Sequence, residues 1–322
     1  MRPSKLIPIA ALFLTGFLSP SGWAQNSNSR PATPGSINYV EGQASIDGEP
    51  LSPSSVGSTE LRAGQSVSTQ SGKLEILLTP GVFLRVAENS AVKMIRPELA
   101  TTEVEVDKGR AMVEGTDIRK ENDIRIDENG ANTKILKNGL YEFDADEDSI
   151  RVFKGKVEVR DGGQKVDLGQ GREIVLNTGG KLKSEDFDAR KYRDDDFYRW
   201  SGLRSGYLAE ASVDEARRYV DGGPGWYGPG WYWDPWFASY TFIPGGGILY
   251  SPFGWGFYSP FAVYRSPFFF GYYGQAHRFG EYHYPYGHGF EPQGGFRGPV
   301  VRGGIHPIAR AGGAMRGGGG RR

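Results

Sequence analysis

The chain has 322 residues, with 38 basic and 38 acidic side chains, 48 glycines and no cysteine. At roughly 150 residues per domain, this length allows about two domains. The lack of cysteine excludes disulfides, thiolate metal ligands and thiol nucleophiles, and a formal net charge of zero argues against a whole-protein electrostatic grip on nucleic acid or on an anionic membrane.

The first segment has the pattern of a secretory signal. A basic start precedes an apolar run over residues 6–18, and small residues precede Gln25. The run is shorter than the roughly 20 residues that cross a bilayer. We therefore expect residues 1–24 to be a signal peptide, with an uncleaved anchor as the alternative. The expected mature chain has no transmembrane span and is exported to the periplasm or outer cell envelope, and it starts with a solvated linker over residues 25–35.

Residues 36–180 repeat short runs of alternating apolar residues, each closed by glycine or by a pair such as Asp-Gly or Pro-Gly. Residues 39–46, 106–113 and 152–159 are three such units. This period of two, punctuated by turn residues, is typical of strands joined by tight hairpins. No helical pattern intervenes, so the predicted fold class is mainly β: an all-β roll or sandwich, or a short solenoid.

The same region resembles the FecR-type domain family. In that family an entry strand with the pattern Gly-Asp-x-Ile-x-Thr precedes a strand, a glycine turn and a strand that ends near Asn-Ser. Here Gln65 replaces the acid and Val67 the isoleucine. The resemblance covers roughly residues 35–177, and its motifs specify a domain more than an activity. Its clearest segments are 61–69 (LRAGQSVST), 71–78 (SGKLEILL), 81–86 (GVFLRV) and 89–92 (NSAV).

The resemblance implies a role in a signalling relay. In such relays a periplasmic domain senses an outer-membrane siderophore receptor, and a membrane helix joins it to a cytoplasmic segment that acts on a sigma factor. In this chain a signal peptide is predicted where that segment and helix would be. The chain is similar to envelope proteins that combine an exported domain of this type with a long tail rich in Trp, Tyr and Gly.

Residues 184–220 change to apolar residues at three- to five-residue steps among charges, which predicts an amphipathic helical connector. Ser184 is its predicted N-cap, and Asp194–Asp196 its solvated face. Gly202 and Gly206 predict two shorter helices or a broken one. We expect the apolar stripe to pack on the β domain, with a docking helix for a partner as the alternative.

Residues 221–322 form a low-complexity tail rich in glycine, aromatic residues and proline. The tail holds five of the seven tryptophans and all four histidines, and its basic residues are all arginine. Proline and glycine at this density oppose long helices and central strands. The tail is therefore predicted to be at least partly disordered, with weakly ordered hairpins near residues 225–275. It is mildly basic, whereas residues 25–220 are mildly acidic.

Exposed aromatic surface is what many protein contacts use. The expected partners are an envelope protein, glycan or wall material, or another copy of the chain, and export argues against nucleic acid. The candidate partner-contact residues are Trp200, Trp226, Trp231, Trp233, Trp236 and Trp255.

No catalytic, cofactor or metal site is predicted. His283 and His288, with His277, have a spacing that a bent loop closes on a metal, but without a fixed scaffold the favoured interpretation is solvent-exposed rings. Residues 144–148 begin like a calcium loop, yet glycine is missing at its sixth position and glutamate at its twelfth, which favours a hairpin turn. No histidine lies on the predicted scaffold and no carboxylate pair is singled out, so we predict a non-enzyme.

Two functions remain open from the sequence. The first is a non-catalytic exported envelope protein, in which the β domain is an interaction platform and the aromatic tail binds wall, glycan, a protein partner or itself. The second, which the resemblance implies, is a periplasmic sensory or signalling module coupled to an outer-membrane transporter or to a separate signalling protein.

Overall fold

The structure is a computed structural model that describes residues 31–176, 181–220 and 226–265. The predicted signal peptide, the three histidines considered as metal ligands and the end of the predicted tail lie outside the described residues.

Two β-sheets and a helical and aromatic layer make up the described chain. The first strands are β1 (Ile37–Glu41), β2 (Ala44–Ile46), β3 (Glu49–Leu51), β4 (Ser66–Thr69), β5 (Lys73–Thr79), β6 (Val82–Val86), β7 (Ala91–Pro97), β8 (Thr101–Lys108) and β9 (Arg110–Gly115). The next are β10 (Asp123–Glu128), β11 (Ala131–Ile135), β12 (Gly139–Asp144), β13 (Ser149–Lys154), β14 (Lys156–Asp161), β15 (Gln164–Gly169), β16 (Arg172–Val175) and β17 (Ser184–Asp186). They are followed by α1 (Asp196–Val220), β18 (Gly230–Asp234), β19 (Ser239–Ile243), β20 (Ile248–Tyr250), β21 (Gly256–Tyr258) and α2 (Pro260–Arg265), and short 3-10 turns cover Pro53–Ser55 and Ala189–Asp194.

The strands before α1 form an eight-stranded and a nine-stranded sheet. The eight-stranded sheet has the order β1-β5-β6-β9-β12-β13-β16-β17, and the nine-stranded sheet the order β15-β14-β11-β10-β8-β7-β4-β2-β3. The chain passes repeatedly from one sheet to the other, so that β8 and β10 pair in parallel while β9, between them in sequence, lies in the other sheet. Neither sheet closes on itself. The predicted mainly β fold is confirmed.

Alternation along the strands gives the eight-stranded sheet two buried faces. In β5, Leu74, Ile76 and Leu78 belong to the core between the sheets, whereas Leu77 belongs to a second cluster on the opposite face. A period of two sends neighbouring residues to opposite faces, so a strand that is buried throughout must be covered on both sides. The nine-stranded sheet covers one face, with inward side chains that include Val67, Val92, Met94, Val104, Val106, Ile124, Ile126, Val157 and Val159.

A third layer, defined as residues 196–220 and 226–265, covers the other face of the eight-stranded sheet. Leu77 and Phe83 of the sheet pack with Leu208 of α1 and with Phe242 and Phe257 of the hairpins β18–β19 and β20–β21. Each buried aromatic ring removes a large apolar area from water, which offsets the entropic cost of ordering a glycine-rich segment. Residues 226–265, predicted to contain weakly ordered hairpins at the start of the tail, form two hairpins that add buried aromatic residues to this cluster.

The prediction of a broken helix is wrong. Helix α1 is continuous over Asp196–Val220. Gly202 and Gly206 lie one turn apart and form a groove for two rings: a Cβ added at Gly202 would lie 3.2 Å from the ring of Phe253, and one at Gly206 would lie 3.2 Å from the ring of Trp255. The close packing of these rings offsets the roughly 1 kcal/mol that each glycine costs in a helix interior.

The predicted start of the helix is also wrong. Ser184 lies in β17, and Asp195 caps α1, because its Oδ1 accepts a hydrogen bond from the amide of Tyr198 at 2.8 Å. Asp195 was predicted on a solvated face, but its carboxylate is only partly exposed and accepts two hydrogen bonds from Arg110 at 2.9 and 3.0 Å. Within the described residues, no helix combines the length and hydrophobicity that crossing a bilayer requires.

Candidate interaction surface

Four fully or nearly buried charged residues join α1 to the eight-stranded sheet. We call Glu75, Arg85, Glu114 and Arg204 the buried ion cluster. Arg85 Nε lies 2.9 Å from Glu75 Oε2, and its Nη1 lies 2.6 Å from Glu114 Oε2. Arg204 of α1 reaches Glu75 Oε1 at 3.0 Å. Ser205 adds a hydrogen bond to Glu114 Oε1 at 2.7 Å, so both carboxylates are bound from the helix.

The buried ion cluster is electrically balanced, with two guanidinium groups and two carboxylates. Burial alone would raise the pKa of Glu75, but Arg204 and Arg85 bring it below its ordinary value. Glu114 faces only the Arg85 guanidinium, and burial raises its pKa. Such a cluster is weak as a net source of stability but costly to break, since removing one member leaves a buried charge unpaired.

A second ion network holds the start of α1. Glu142 in β12 accepts hydrogen bonds from Arg110 at 2.8 Å and from Arg151 at 2.9 Å. Arg110 also binds Asp195, the cap of α1, and its guanidinium lies over the ring of Phe197 at 5.4 Å. The start of α1, at Asp195, and its first half, at Arg204 and Ser205, are thus tied to strands of the eight-stranded sheet, which fixes the side of the helix that faces outward.

The hairpin β18–β19 is fastened to the edge of the eight-stranded sheet. Asn38 of β1 accepts a hydrogen bond from the amide of Tyr240 at 2.7 Å and donates one to its carbonyl oxygen at 3.0 Å. The ring of Trp233 covers Gly57, where an added Cβ would lie 2.7 Å from it. Trp231 packs edge-on against Phe83 at 5.1 Å. These contacts make the hairpin a fixed support for the turn at its tip.

The turn of this hairpin presents an exposed tryptophan. Asp234 Oδ1 accepts hydrogen bonds from the backbone amides of Trp236 at 2.7 Å and Phe237 at 3.0 Å, and Ala238 has a φ of 46°, in the left-handed region. The side chain of Trp236 is 84% exposed. Phe237 turns back onto α1, where its ring lies 6.2 Å from that of Tyr207. The turn therefore joins the outward face of the helix.

We define the aromatic patch as Leu203, Tyr207, Trp236 and Phe237. Leu203 and Tyr207 lie one turn apart on α1 and are 51% and 40% exposed, although both are among the apolar residues of 184–220 that were expected to pack on the β domain. Packing on the β domain is correct for Phe197 and Leu208, which are buried. The exposed side of α1 and the hairpin turn together form an apolar surface that is continuous through the Tyr207–Phe237 contact.

The six tryptophans predicted as partner contacts have unequal surroundings. Trp231 and Trp233 are half-buried in the hairpin contacts described above, and Trp226 is half-buried before β18. Trp255 donates a hydrogen bond to the carbonyl oxygen of Gly202 at 3.0 Å, and Trp200 donates one to Glu41 at 2.9 Å. Trp236 is the one of the six that is mostly exposed. A contact role for these residues stays a prediction.

Carboxylates lie beside the aromatic patch. Glu210 and Asp214 follow Tyr207 by one and two turns on the same side of α1, a spacing that makes helix residues neighbours. Glu215 and Asp234 lie buried behind them. Arg218 contacts Glu215 at 2.5 Å and lies 3.9 Å from Asp234. The surface thus combines exposed aromatic groups with a local excess of acids.

The metal alternatives of the sequence find no support in the described residues. The part of the chain that the structure describes contains no group of three or more His, Cys, Asp or Glu placed to hold a metal ion. Residues 144–148, which begin like a calcium loop, form the turn between β12 and β13, with Asp144 paired to Ser149. The favoured interpretation of a hairpin turn is confirmed there.

One acid lies inside the sandwich itself. Glu128 follows Ile124 and Ile126 on the inward face of β10, and neither carboxylate oxygen is in an ordinary hydrogen bond. Burial, and then the charges of Asp144 and Asp148, raise the pKa of Glu128 to about 8. A group with a raised pKa in the folded state stabilises the fold at low pH, and this contribution is lost as pH rises.

We expect Glu128→Gln to change the pH dependence of stability. For the wild type, the contribution of Glu128 is complete below its unfolded pKa of 4.5 and is lost as pH rises through about 8. The variant stays neutral, so its free energy of unfolding relative to wild type should rise between pH 4 and pH 9 by on the order of 5 kcal/mol. Urea unfolding across this range measures the difference. Glu98→Gln, at an exposed position, corrects for the loss of one acid, and parallel wild-type and Glu128→Gln curves would contradict the expectation.

The comparison with protein-family models agrees with the motifs noted in the sequence. The FecR protein family model matches residues 65–158. Two crystal structures of a candidate anti-sigma factor from Parabacteroides distasonis ATCC 8503, at 1.65 and 2.50 Å, are similar to the chain at 18% sequence identity with TM-scores of 0.35. The first match covers 44% of this chain and 65% of the other, which is less than two thirds of that structure, and the second covers 48% and 73%. No curated protein matches the chain.

The family match runs from the residue before β4 into β14, and so includes strands of both sheets. It ends well before α1 and the third layer, which the family model does not describe. The resemblance to the FecR-type family is therefore confirmed for the central strands of the sandwich, where residues 65–158 match the family model.

Proposed function

We propose that the protein is a non-catalytic binding module of the bacterial cell envelope, in which the two sheets are the platform and the third layer presents the contact surface to a protein partner. The FecR match supports a regulatory or signalling setting, and the signal-like start of the sequence supports export to the periplasm or outer envelope. A sensory module coupled to an envelope transporter is one form of this function.

The distribution of exposed apolar side chains carries the proposal. Among the described residues before α1, the large exposed hydrophobic residues are all aliphatic: Leu99, Leu136 and Val175. The third layer exposes seven, six of which are aromatic: Leu203, Tyr207, Tyr227, Trp236, Tyr250, Phe261 and Tyr264. Clustered exposed aromatic side chains are typical of protein contacts, whereas scattered aliphatic ones are ordinary surface.

The core contacts of the third layer limit which variants can test this proposal. Deleting the whole predicted tail from residue 221 would remove Phe242 and Phe257 from the core, so a loss of binding would have no clear cause. Truncation after Arg265 leaves the described contacts in place. Substitution of exposed side chains within the third layer then tests the surface itself.

The experiment is affinity capture from solubilised envelope fractions with the full chain and three variants. Tyr207→Ser/Trp236→Ser should lower the recovery of co-purifying envelope proteins about tenfold, which corresponds to about 1.4 kcal/mol of binding free energy. Leu99→Ser/Leu136→Ser, at exposed positions of the sandwich, is the matched control and should retain them. Unchanged recovery with the first variant, or complete loss on truncation after Arg265 alone, would refute the third layer as the contact surface.

A further inference from the structure

The aromatic patch and the acids beside it form one surface. Leu203, Tyr207, Glu210 and Asp214 follow each other at three- and four-residue steps along α1, so they share one side of the helix. Phe237 contacts Tyr207 and brings the turn of β18–β19 to this side. The surface therefore changes from apolar to acidic along the helix axis, with Trp236 at its apolar part.

The acids at this surface exceed the bases that face them. Glu210, Asp214, Glu215 and Asp234 are opposed by Arg217, which lies 3.7 Å from Asp214, and by Arg218. Among the described residues, no basic side chain lies within 4.0 Å of Glu210. When all four acids are ionised, this group of side chains has two more negative than positive charges.

A buried carboxylate of this group lacks a cation within hydrogen-bond distance. Asp234 is fully buried, and its Oδ1 accepts the two amide hydrogen bonds of the turn, whereas its Oδ2 is in no hydrogen bond of ordinary geometry, and the side chain that interacts with Asp234 is another acid, Glu215. An ionised carboxylate in such a place is costly unless positive charge approaches it. Arg218, at 3.9 Å, is the nearest described cation but lies beyond hydrogen-bond distance.

Burial, together with the neighbouring acids, favours the protonated forms of Glu210, Asp214 and Glu215. Burial raises the pKa of Glu215 to about 7, with Asp234 and Asp214 raising it and Arg218 lowering it. Burial also raises the pKa of Glu210 and of Asp214, and Asp234 raises both further. Among the described residues, the other titratable groups near this site are Tyr219 on α1, Tyr227 before β18 and Tyr232 of β18. A positive group docked here would relieve the repulsion between these acids.

We propose that this surface, the aromatic patch together with Glu210 and Asp214, docks a polypeptide segment in which basic side chains alternate with apolar ones. The apolar side chains contact Leu203, Tyr207 and Trp236, and the basic ones contact the carboxylates farther along α1. A small metal cation does not fit, because the described acids are not arranged to hold one. The proposal rests on the proposed function and adds the chemistry of the partner.

The test uses the full chain and a fluorescent twelve-residue peptide of alternating lysine and phenylalanine, with an alternating glutamate and phenylalanine peptide as the charge control. Fluorescence anisotropy at low salt should give a Kd at least tenfold lower for the lysine peptide. Binding should be about threefold tighter at pH 8 than at pH 6, because Glu215 loses its proton across this range. Raised salt should weaken it, since the charges are near the surface.

Two variants separate the parts of the surface. Glu210→Gln/Asp214→Asn should raise the Kd of the lysine peptide about tenfold and remove most of the preference over the glutamate peptide. Tyr207→Ser/Trp236→Ser should raise the Kd for both peptides. Leu99→Ser, on the sandwich, should change neither value. Equal affinity for the two peptides, or no effect of Glu210→Gln/Asp214→Asn, would overturn the proposal.

Other occupants give different results. Sedimentation that shows dimers lost on Tyr207→Ser/Trp236→Ser would assign the surface to a second copy of the chain, and displacement of the peptide by a soluble glycan would assign it to a carbohydrate. Either result would overturn the proposal that a basic polypeptide segment docks at this surface. If the lysine peptide fails to bind but Tyr207→Ser/Trp236→Ser still loses the envelope partner, the proposed function stands and only the partner chemistry is wrong.

Discussion

Replacing Arg85 with alanine is expected to lower the free energy of unfolding by about 3–5 kcal/mol. Arg85 is fully buried and pairs with both Glu75 and Glu114, which are also fully buried. Without its guanidinium, Glu114 retains only the hydroxyl of Ser205, and Glu75 retains Arg204 and Asn38. The cost is thus mainly that of leaving Glu114 buried without a counter-charge, not the net value of the intact cluster.

The matched control is Arg62→Ala. Arg62 forms an ion pair with Glu60 at 3.2 Å, but both side chains are well exposed, at 69% and 40%. Exposed pairs of this kind contribute about 0–1 kcal/mol. Urea unfolding at pH 7 measures the free energy of unfolding of both variants and of the wild type. If Arg85→Ala costs no more than Arg62→Ala, water reaches the cluster and the region is not dry.

The sequence contains a pattern that indicates the buried ion cluster. Glu75, Arg85 and Glu114 each stand within an apolar run, in KLEILLT, VFLRV and AMVEG. On a strand with one solvent-exposed face, charged residues at these positions point to water. Alternating polar and apolar residues are ordinarily interpreted in this way. Here neighbouring hydrophobic residues of the same strands also occupy the second face. That combination indicates a sheet covered on both sides, with its charges paired in the interior.

Two glycines explain why the prediction of a broken helix is wrong. Propensity correctly assigns a cost to Gly202 and Gly206, but propensity describes an isolated helix. The rings of Phe253 and Trp255, about fifty residues later, occupy the space that these glycines leave. The compensating contact is distant in sequence, so no local pattern predicts it. The regular strands and hairpin turns of residues 36–176, in contrast, depend on local alternation and turn residues and were predicted.

The sequence predicts the type of contact surface but not the residues that form it. Composition indicates aromatic contact surface in the C-terminal third, and the exposed aromatic residues do lie in the third layer. Composition does not distinguish Trp236, at the tip of a turn, from Trp231 and Trp233 of the same hairpin, which are half-buried. Leu203 and Tyr207 also face outward because Arg204 and Ser205, between them in sequence, bind the buried carboxylates of Glu75 and Glu114. The buried charges thus determine which side of α1 is available to a partner.

Replacing Phe242 with alanine is expected to lower the free energy of unfolding by about 3–5 kcal/mol, the usual cost of removing a buried phenylalanine ring. Phe242 is fully buried, and its ring lies 6.3 Å from that of Trp231 and 6.0 Å from that of Phe257. These partners lie in residues 226–265 of the third layer, and Leu77 and Phe83 of the sheet belong to the same cluster.

The control for this prediction is Trp236→Ala, on the same hairpin. Trp236 is 84% exposed, so its loss should change the free energy of unfolding by no more than about 0.5 kcal/mol. Chemical unfolding, followed by tryptophan fluorescence and by far-ultraviolet circular dichroism, compares the two variants. If the third layer folds with the sheets, both probes should report one transition that Phe242→Ala shifts and Trp236→Ala does not. Equal, small effects of the two substitutions would mean that residues 226–265 lie on the sheet without stabilising the fold. The partner surface would then lack its fixed support.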